Sequence, residues 1–297
     1  YLDRKLDQEI AFDVDVFLRW TAVACFTPFF QLHGRANITP WTVPERADES
    51  VEWYRLYAST HEALVPFFYS LAEETYAERA PNILRLVTDR AGWAGDYRFL
   101  VGDALLVAPY LDGTHARDVE LPGRTPGDTT TTYIDLFDLG RTPIAAGTNL
   151  VDETRVLAFA IPVFIRSSSI VPMSPVNDGL PFPVAADHDV VLAYAGASEA
   201  SFALHDDDGD VTTLVLTRDG GNVELTSDKG FAKDTLVYFL DRDAAGASSV
   251  DGATASDQAS LAAAAGANGA FFDATRRLVV VKVSATSVAT TVRNEAP

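Results

Sequence analysis

The sequence predicts a multidomain chain of mixed class: helices and strands that form the closing elements of a (β/α)8 barrel, followed by two β-sandwich domains. Three observations carry this. The first third reads helix, strand, helix, strand, the order of α/β units. From about Gly92 the pattern changes to short strands set off by Gly, Pro and Asp, the mark of all-β domains. All four tryptophans, Trp20, Trp41, Trp53 and Trp93, lie in the first third, whereas the last third is rich in Ala, Gly, Ser, Thr, Asp and Val. The resulting division is 1–92 for the barrel portion, 93–173 for a proximal β-sandwich and 174–297 for a distal one.

Taken in order, Val14, Phe17, Leu18 and Thr21 fit one face of a helix from Asp13 to Ala24, and Phe26 to Leu32 reads as a short buried strand. A loop with Pro40-Trp41 and Pro44 follows. From Asp48 to about Arg79 a long helical region places Leu64, Phe67, Phe68 and Leu71 on one face, with Pro66 set to bend it and Pro81 to close it. Asn82 to Thr88 is a further strand. Two such units cannot close a barrel alone. In the proximal domain the strand candidates are Phe99 to Pro109, Ala116 to Leu121, Thr131 to Leu136 and Val163 to Pro172. In the distal domain they are Val190 to Tyr194, Ala200 to His205, Val211 to Thr217, Asn222 to Thr226, Thr235 to Leu240, Leu278 to Val283 and Ser287 to Val292. Asp219-Gly220-Gly221 makes a hairpin turn because glycine tolerates positive φ. Asp241 to Gly269 has few large apolar groups and reads as a mobile surface insertion with a short alanine helix.

The 297 residues and 47% hydrophobic content suffice for packed cores. The formal charge of −19, from 42 acidic against 23 basic residues, argues against nucleic-acid and anionic-membrane partners. No apolar run is long enough for a membrane span, and no signal segment opens the chain. It begins with Tyr1 in a charged stretch, which suggests sequence upstream. One cysteine, Cys25, excludes an intrachain disulfide and a multi-Cys metal site. Asp206-Asp207-Asp208-Gly209-Asp210 invites a calcium loop, but glycine comes two positions early and Thr217 stands where a final glutamate is needed, so a solvated acidic turn is the stronger reading.

The run Arg19-Trp20-Thr21-Ala22-Val23-Ala24-Cys25-Phe26-Thr27-Pro28-Phe29-Phe30-Gln31-Leu32-His33 resembles a late-barrel signature of glycoside hydrolase family 31, the α-glucosidases and α-xylosidases. The family pattern is Arg-Trp-x-Gln-x-Gly-Ala-Phe-x-Pro-Phe-x-Arg-x-His. Arg19, Trp20, Phe26, Pro28, Phe29 and His33 keep it, whereas Ala22 and Gln31 depart from it. Three later segments repeat the resemblance in the family's order: Asp96 to Pro109, Ile161 to Met173 with Ser168 where glycine is usual, and Leu204 to Gly209.

The resemblance implies a sugar-binding role for His33, whose imidazole both donates and accepts hydrogen bonds. It places Tyr1 where an aromatic helps to wall the sugar pocket, and Trp41, in the loop beyond His33, is a third candidate substrate contact, although packing under that loop is its stronger reading. Arg19 reads as a structural partner of Asp15. The family retains configuration with two aspartates, a nucleophile and a general acid. Both lie on earlier barrel strands, and no segment here resembles either motif, so neither is assigned. The resemblance thus implies a C-terminal part of an α-glycosidase that needs no metal or organic cofactor. Its expected partners are an α-linked oligosaccharide or glycoside and the missing N-terminal half of the barrel, in the same or a separate chain. The alternatives are a non-catalytic carbohydrate-binding or scaffold protein and a degenerate family member, the latter suggested by Ala22, Gln31 and His61.

Overall fold

The computed structural model describes residues 2–3, 8–9, 13–32, 39–43, 46–88, 91–154, 160–175, 180, 182, 187–260 and 268–296. Three helices, α1 (Val14–Cys25), α2 (Ala47–Ala63) and α3 (Val65–Tyr76), precede the main β structure. Asp13 caps α1 by accepting the Val16 amide at 2.9 Å, which satisfies one of the donors a helix start leaves free. Leu18, Thr21, Ala22 and Cys25 form its buried stripe. The long helix expected from Asp48 is two helices that meet at Leu64. Pro66, in the first turn of α3, has no N–H to continue the α2 ladder, and that turn is where a helix tolerates it.

Three six-stranded sheets and a two-stranded ribbon follow. The proximal sheet holds Leu84–Leu86, Phe99–Val101, Leu105–Val107, Val163–Arg166, Thr132–Asp135 and Ile144–Ala145 in that spatial order. The central sheet runs Ser169–Met173, Asp189–Tyr194, Thr235–Leu240, Leu278–Val283, Gly269–Asp273 and Ser256–Asp257. The outer sheet runs Ala200–His205, Val211–Asp219, Asn222–Ser227, Thr290–Asn294, Ser248–Val250 and Ala253–Thr254. Alternation along each strand sorts its side chains between layers. Ile170, Val191, Val237, Phe239 and Val281 face the outer sheet, while Val171, Leu192, Tyr194, Tyr238 and Val280 join one core with the helices and the proximal sheet. On the far side of the proximal sheet, Leu100, Leu106, Tyr133 and Phe164 pack beneath Val119 of the ribbon Ala116–Glu120 and Asn149–Thr154. The central sheet is thus covered on both faces, and its three longest strands, all inner ones, read as nearly unbroken apolar runs.

Several expected elements differ. Phe26–Leu32 forms no strand: Phe26 and Thr27 close a turn on Val23 and Ala24, and among the described residues no strand pairs with this segment's backbone. The strand expected at Asn82–Thr88 is Leu84–Leu86, and it pairs antiparallel with Phe99–Val101 instead of serving as a barrel stave. Phe99 to Pro109 is folded at Gly102, whose φ of +54° suits glycine, into a hairpin. Val163 to Pro172 breaks at Ser168, φ +55°, and passes from the proximal to the central sheet. Pro172 is accommodated because Ser169–Met173 is an edge strand. Within the insertion expected to be a loop, Ser248–Val250 pairs with Thr290–Asn294, while the alanine segment 261–267 lies outside the described residues. No described helix is long and apolar enough to cross a membrane.

Candidate functional site

The helices are fastened to the β layers by their inner faces. Phe26 and Tyr57 meet Phe137 edge-on at 6.2 and 6.3 Å, and the Ile161 amide donates to the Tyr57 hydroxyl at 3.3 Å. Phe67 of α3 stacks on Phe202 at 5.6 Å. The His205 amide donates to Ser70 Oγ at 2.9 Å, and His205 Nε2 lies 2.6 Å from Glu74 Oε1. Arg79 first and His205 second hold the Glu74 carboxyl below its ordinary range against its partial burial.

The opposite side of α1 is uncovered. Val16 and Trp20, one turn apart, are 47% and 75% exposed, and Phe29 beyond the helix is 74% exposed. The segment after α1 is nevertheless positioned. Phe30 stacks on Tyr54 at 5.5 Å and on His61 at 5.2 Å, and His61 Nδ1 sits 2.9 Å from the Cys25 carbonyl. Thr27 Oγ1 bridges the carbonyls of Ala24 and Phe29. His61, which departs from the family pattern, therefore serves the packing of this segment.

Of the three substrate contacts expected from the sequence, His33 and Tyr1 lie outside the described residues. Trp41 stands in a 3-10 turn, Pro40–Thr42, closed by the Thr39 amide donating to Thr42 Oγ1 at 2.8 Å, and its side chain is exposed rather than packed under the loop. The structure places Trp20, Phe29 and Trp41 as exposed aromatics, of which only Trp41 is a candidate on sequence grounds. Exposure of Trp20 has no sequence signal, because a tryptophan beside a buried helical stripe reads as core.

Arg19 does not pair with the Asp15 carboxylate. Its Nε donates to the Asp15 backbone carbonyl at 3.1 Å, and Arg46 takes the carboxylate at 2.6 Å. Arg46 also holds Glu49, so one cation ties α1 to the start of α2. Asp206 to Asp210 closes the hairpin between Ala200–His205 and Val211–Asp219. Asp206 Oδ1 accepts the amides of Asp208 and Asp210, and Asp210 pairs with Lys229 at 3.1 Å. Among the described residues no group of three or more His, Cys, Asp or Glu side chains is placed to hold a metal ion.

A family model described as Glycosyl hydrolases family 31 TIM-barrel domain matches residues 11–71, and one described as Glycosyl hydrolase family 31 C-terminal domain matches residues 78–171. A probable glucan 1,3-alpha-glucosidase of Arabidopsis thaliana is 28% identical over 210 residues, 66% of this chain and 21% of that protein. A 1,3-alpha-isomaltosidase of Kribbella flavida is 31% identical over 184 residues, 55% of this chain and 23% of that protein. The chain thus corresponds to roughly a fifth of the length of either relative. In fold it is similar to a cycloalternan-forming enzyme of Listeria monocytogenes solved with a pentasaccharide substrate, at TM-score 0.78 and 20% identity over 97% of this chain and 28% of that one. A family 31 dextranase of Flavobacterium johnsoniae solved with isomaltotriose gives TM-score 0.71 and 18% identity over 95% of this chain and 37% of that one.

Proposed function

Because the chain belongs to glycoside hydrolase family 31, of which it carries a barrel segment and the C-terminal domain, we propose that it is the part of a retaining α-glycosidase that completes the sugar subsite without supplying the catalytic carboxyls. Retention requires one carboxylate to attack the anomeric carbon and a second carboxyl to protonate the leaving oxygen, the two being about 5–5.5 Å apart. By the family's pattern both are aspartates on barrel strands preceding this segment. This chain's share is binding: His33 donates to and accepts from hydroxyls of the reacting ring, and Tyr1 and Trp41 offer aromatic faces to its C–H surface.

The observation that carries this reading is the uncovered flank of α1, where Val16, Trp20 and Phe29 present apolar surface to solvent beside the segment leading to His33. That flank is where the preceding barrel elements pack. The β layers then act as a buttress, gripping α2 and α3 from behind through Phe202, His205 and Phe137. The relatives' names support an α-linked glucose oligomer as substrate. The test is hydrolysis of an aryl α-glucoside. The chain by itself gives no turnover, and activity is restored when the preceding barrel elements are supplied, joined or as a separate polypeptide. Turnover by the isolated chain overturns the assignment.

A further inference from the structure

Three arginines converge at the seam between the proximal and central sheets: Arg85 from Leu84–Leu86, Arg124 from the loop before Thr131, and Arg166 at the break between Val163–Arg166 and Ser169–Met173. Their common neighbour is Asp103, in the hairpin turn after Gly102. Arg85 Nη2 donates to Asp103 Oδ1 and to the Gly102 carbonyl. Arg166 Nη1 and Arg124 Nη1 each stop 3.7 Å from an Asp103 oxygen, too far for a hydrogen bond. Arg124 Nη2 is spent on the carbonyls of Ser167 and Ser168 and on Ser169 Oγ. The Arg166 side chain is 3% exposed and makes no hydrogen bond among the described residues, and the Nε of all three arginines is buried without a partner.

Buried cations are costly unless paired and hydrogen-bonded. One carboxylate, itself 63% exposed, cannot supply acceptors for three guanidinium groups. A second nearby carboxylate, Asp128, is fully engaged by the amides of Arg124, Thr130 and Thr131 and by the hydroxyls of Thr130 and Thr131. The Tyr133 hydroxyl donates a hydrogen bond to the Pro122 carbonyl and stays neutral, its phenol pushed up to about 12 by burial. Burial and then the charge of Arg166 bring Arg124 down to about 10 and lower Arg85 as well. In a chain of net charge −19, this seam carries an excess of cations short of acceptor oxygens. A cavity of about 300 Å³, lined among others by Gly102, Asp103, Arg124, Ser168, Ser169 and a second acidic residue, Glu199, opens onto it.

We propose that the Arg85–Arg124–Arg166 cluster is a binding site for a phosphate-class oxyanion, inorganic phosphate or the phosphate of a sugar monoester, which enters from this cavity and takes over the place of Asp103. A tetrahedral anion has oxygens for all three guanidinium forks, and Arg is the residue suited to that planar geometry. Asp103, already largely in water, turns outward as the anion enters. The site is independent of the glycosidase reading and joins the two sheets at the strand crossover.

Calorimetric titration of the chain at low ionic strength with inorganic phosphate, with glucose 6-phosphate and with sodium chloride at matched ionic strength tests this. Saturable binding of phosphate and none of chloride is the expected result. Asp103→Asn, at an exposed position, removes the competing charge and should tighten binding by about tenfold. Arg124→Gln should weaken it at least tenfold. Tighter binding of the monoester than of phosphate identifies a ligand whose organic part occupies the cavity; equal binding identifies the free ion. No saturable heat with either anion in both the parent and Asp103→Asn overturns the proposal, as does phosphate binding unchanged by Arg124→Gln.

Discussion

The central sheet and α1 are both apolar, yet they stand in opposite situations. Strands Asp189–Tyr194, Thr235–Leu240 and Leu278–Val283 are covered on both faces by this chain, whereas α1 is covered on one side and exposes Trp20 on the other. The difference separates a region buried on both sides within this polypeptide from one whose outer side is open to solvent, the side on which the proposed function seats the preceding barrel elements. Stability should therefore reside in the sheets, and function in the helical edge.

Deleting an aromatic ring from each region sharpens the contrast. Phe239, fully buried between the central and outer sheets, should cost about 3–5 kcal/mol as Phe239→Ala, read as a lowered urea midpoint. Smaller, at about 1–3 kcal/mol, is Ser70→Ala, which leaves the buried His205 amide without its acceptor and loosens α3 from the outer sheet. Acid should act more gently still. Lys282 holds the Asp234 carboxyl, and Arg79 the Glu74 carboxyl, below their ordinary ranges. The unfolded chain then takes up protons first, so the stability these groups add is present above about pH 4 and drains away as pH falls further. Thermal scans between pH 6 and 3 should show a falling midpoint, and Lys282→Met should flatten the fall. The smallest effect belongs to Trp20→Ala, below about 0.5 kcal/mol for the chain alone, because the ring is 75% exposed. A loss comparable to that of Phe239→Ala would erase the distinction between the regions.

Legibility in the sequence follows the same division. The central hairpin of the outer sheet was readable because Asn222–Ser227 alternates and Gly220, φ +58°, sits at the turn between it and Val211–Asp219. Apolar runs were readable as strands in the central sheet, though not where a chain changes sheet, since Ser168 carries no breaker chemistry and yet takes φ +55°. Phe26–Leu32 misleads for a different reason. Its apolar residues suit a buried strand, but strand structure needs a neighbour's backbone, and that information is not local. The edge-on aromatics and the arginine cluster were equally hidden, for Arg85, Arg124 and Arg166 come from separate strands and loops and meet only in three dimensions. Among the candidate substrate contacts, Trp41 stands exposed, and the roles of His33 and Tyr1 rest on the family pattern.

Hydrogen exchange of the chain, alone and after addition of the preceding barrel elements of a family 31 enzyme, tests the central claim most directly. Slowed exchange over α1 and residues 26–32, with the amides of Thr235–Leu240 and Leu278–Val283 unchanged, is the predicted result. Unchanged exchange at α1, or protection appearing in the outer sheet instead, would contradict it.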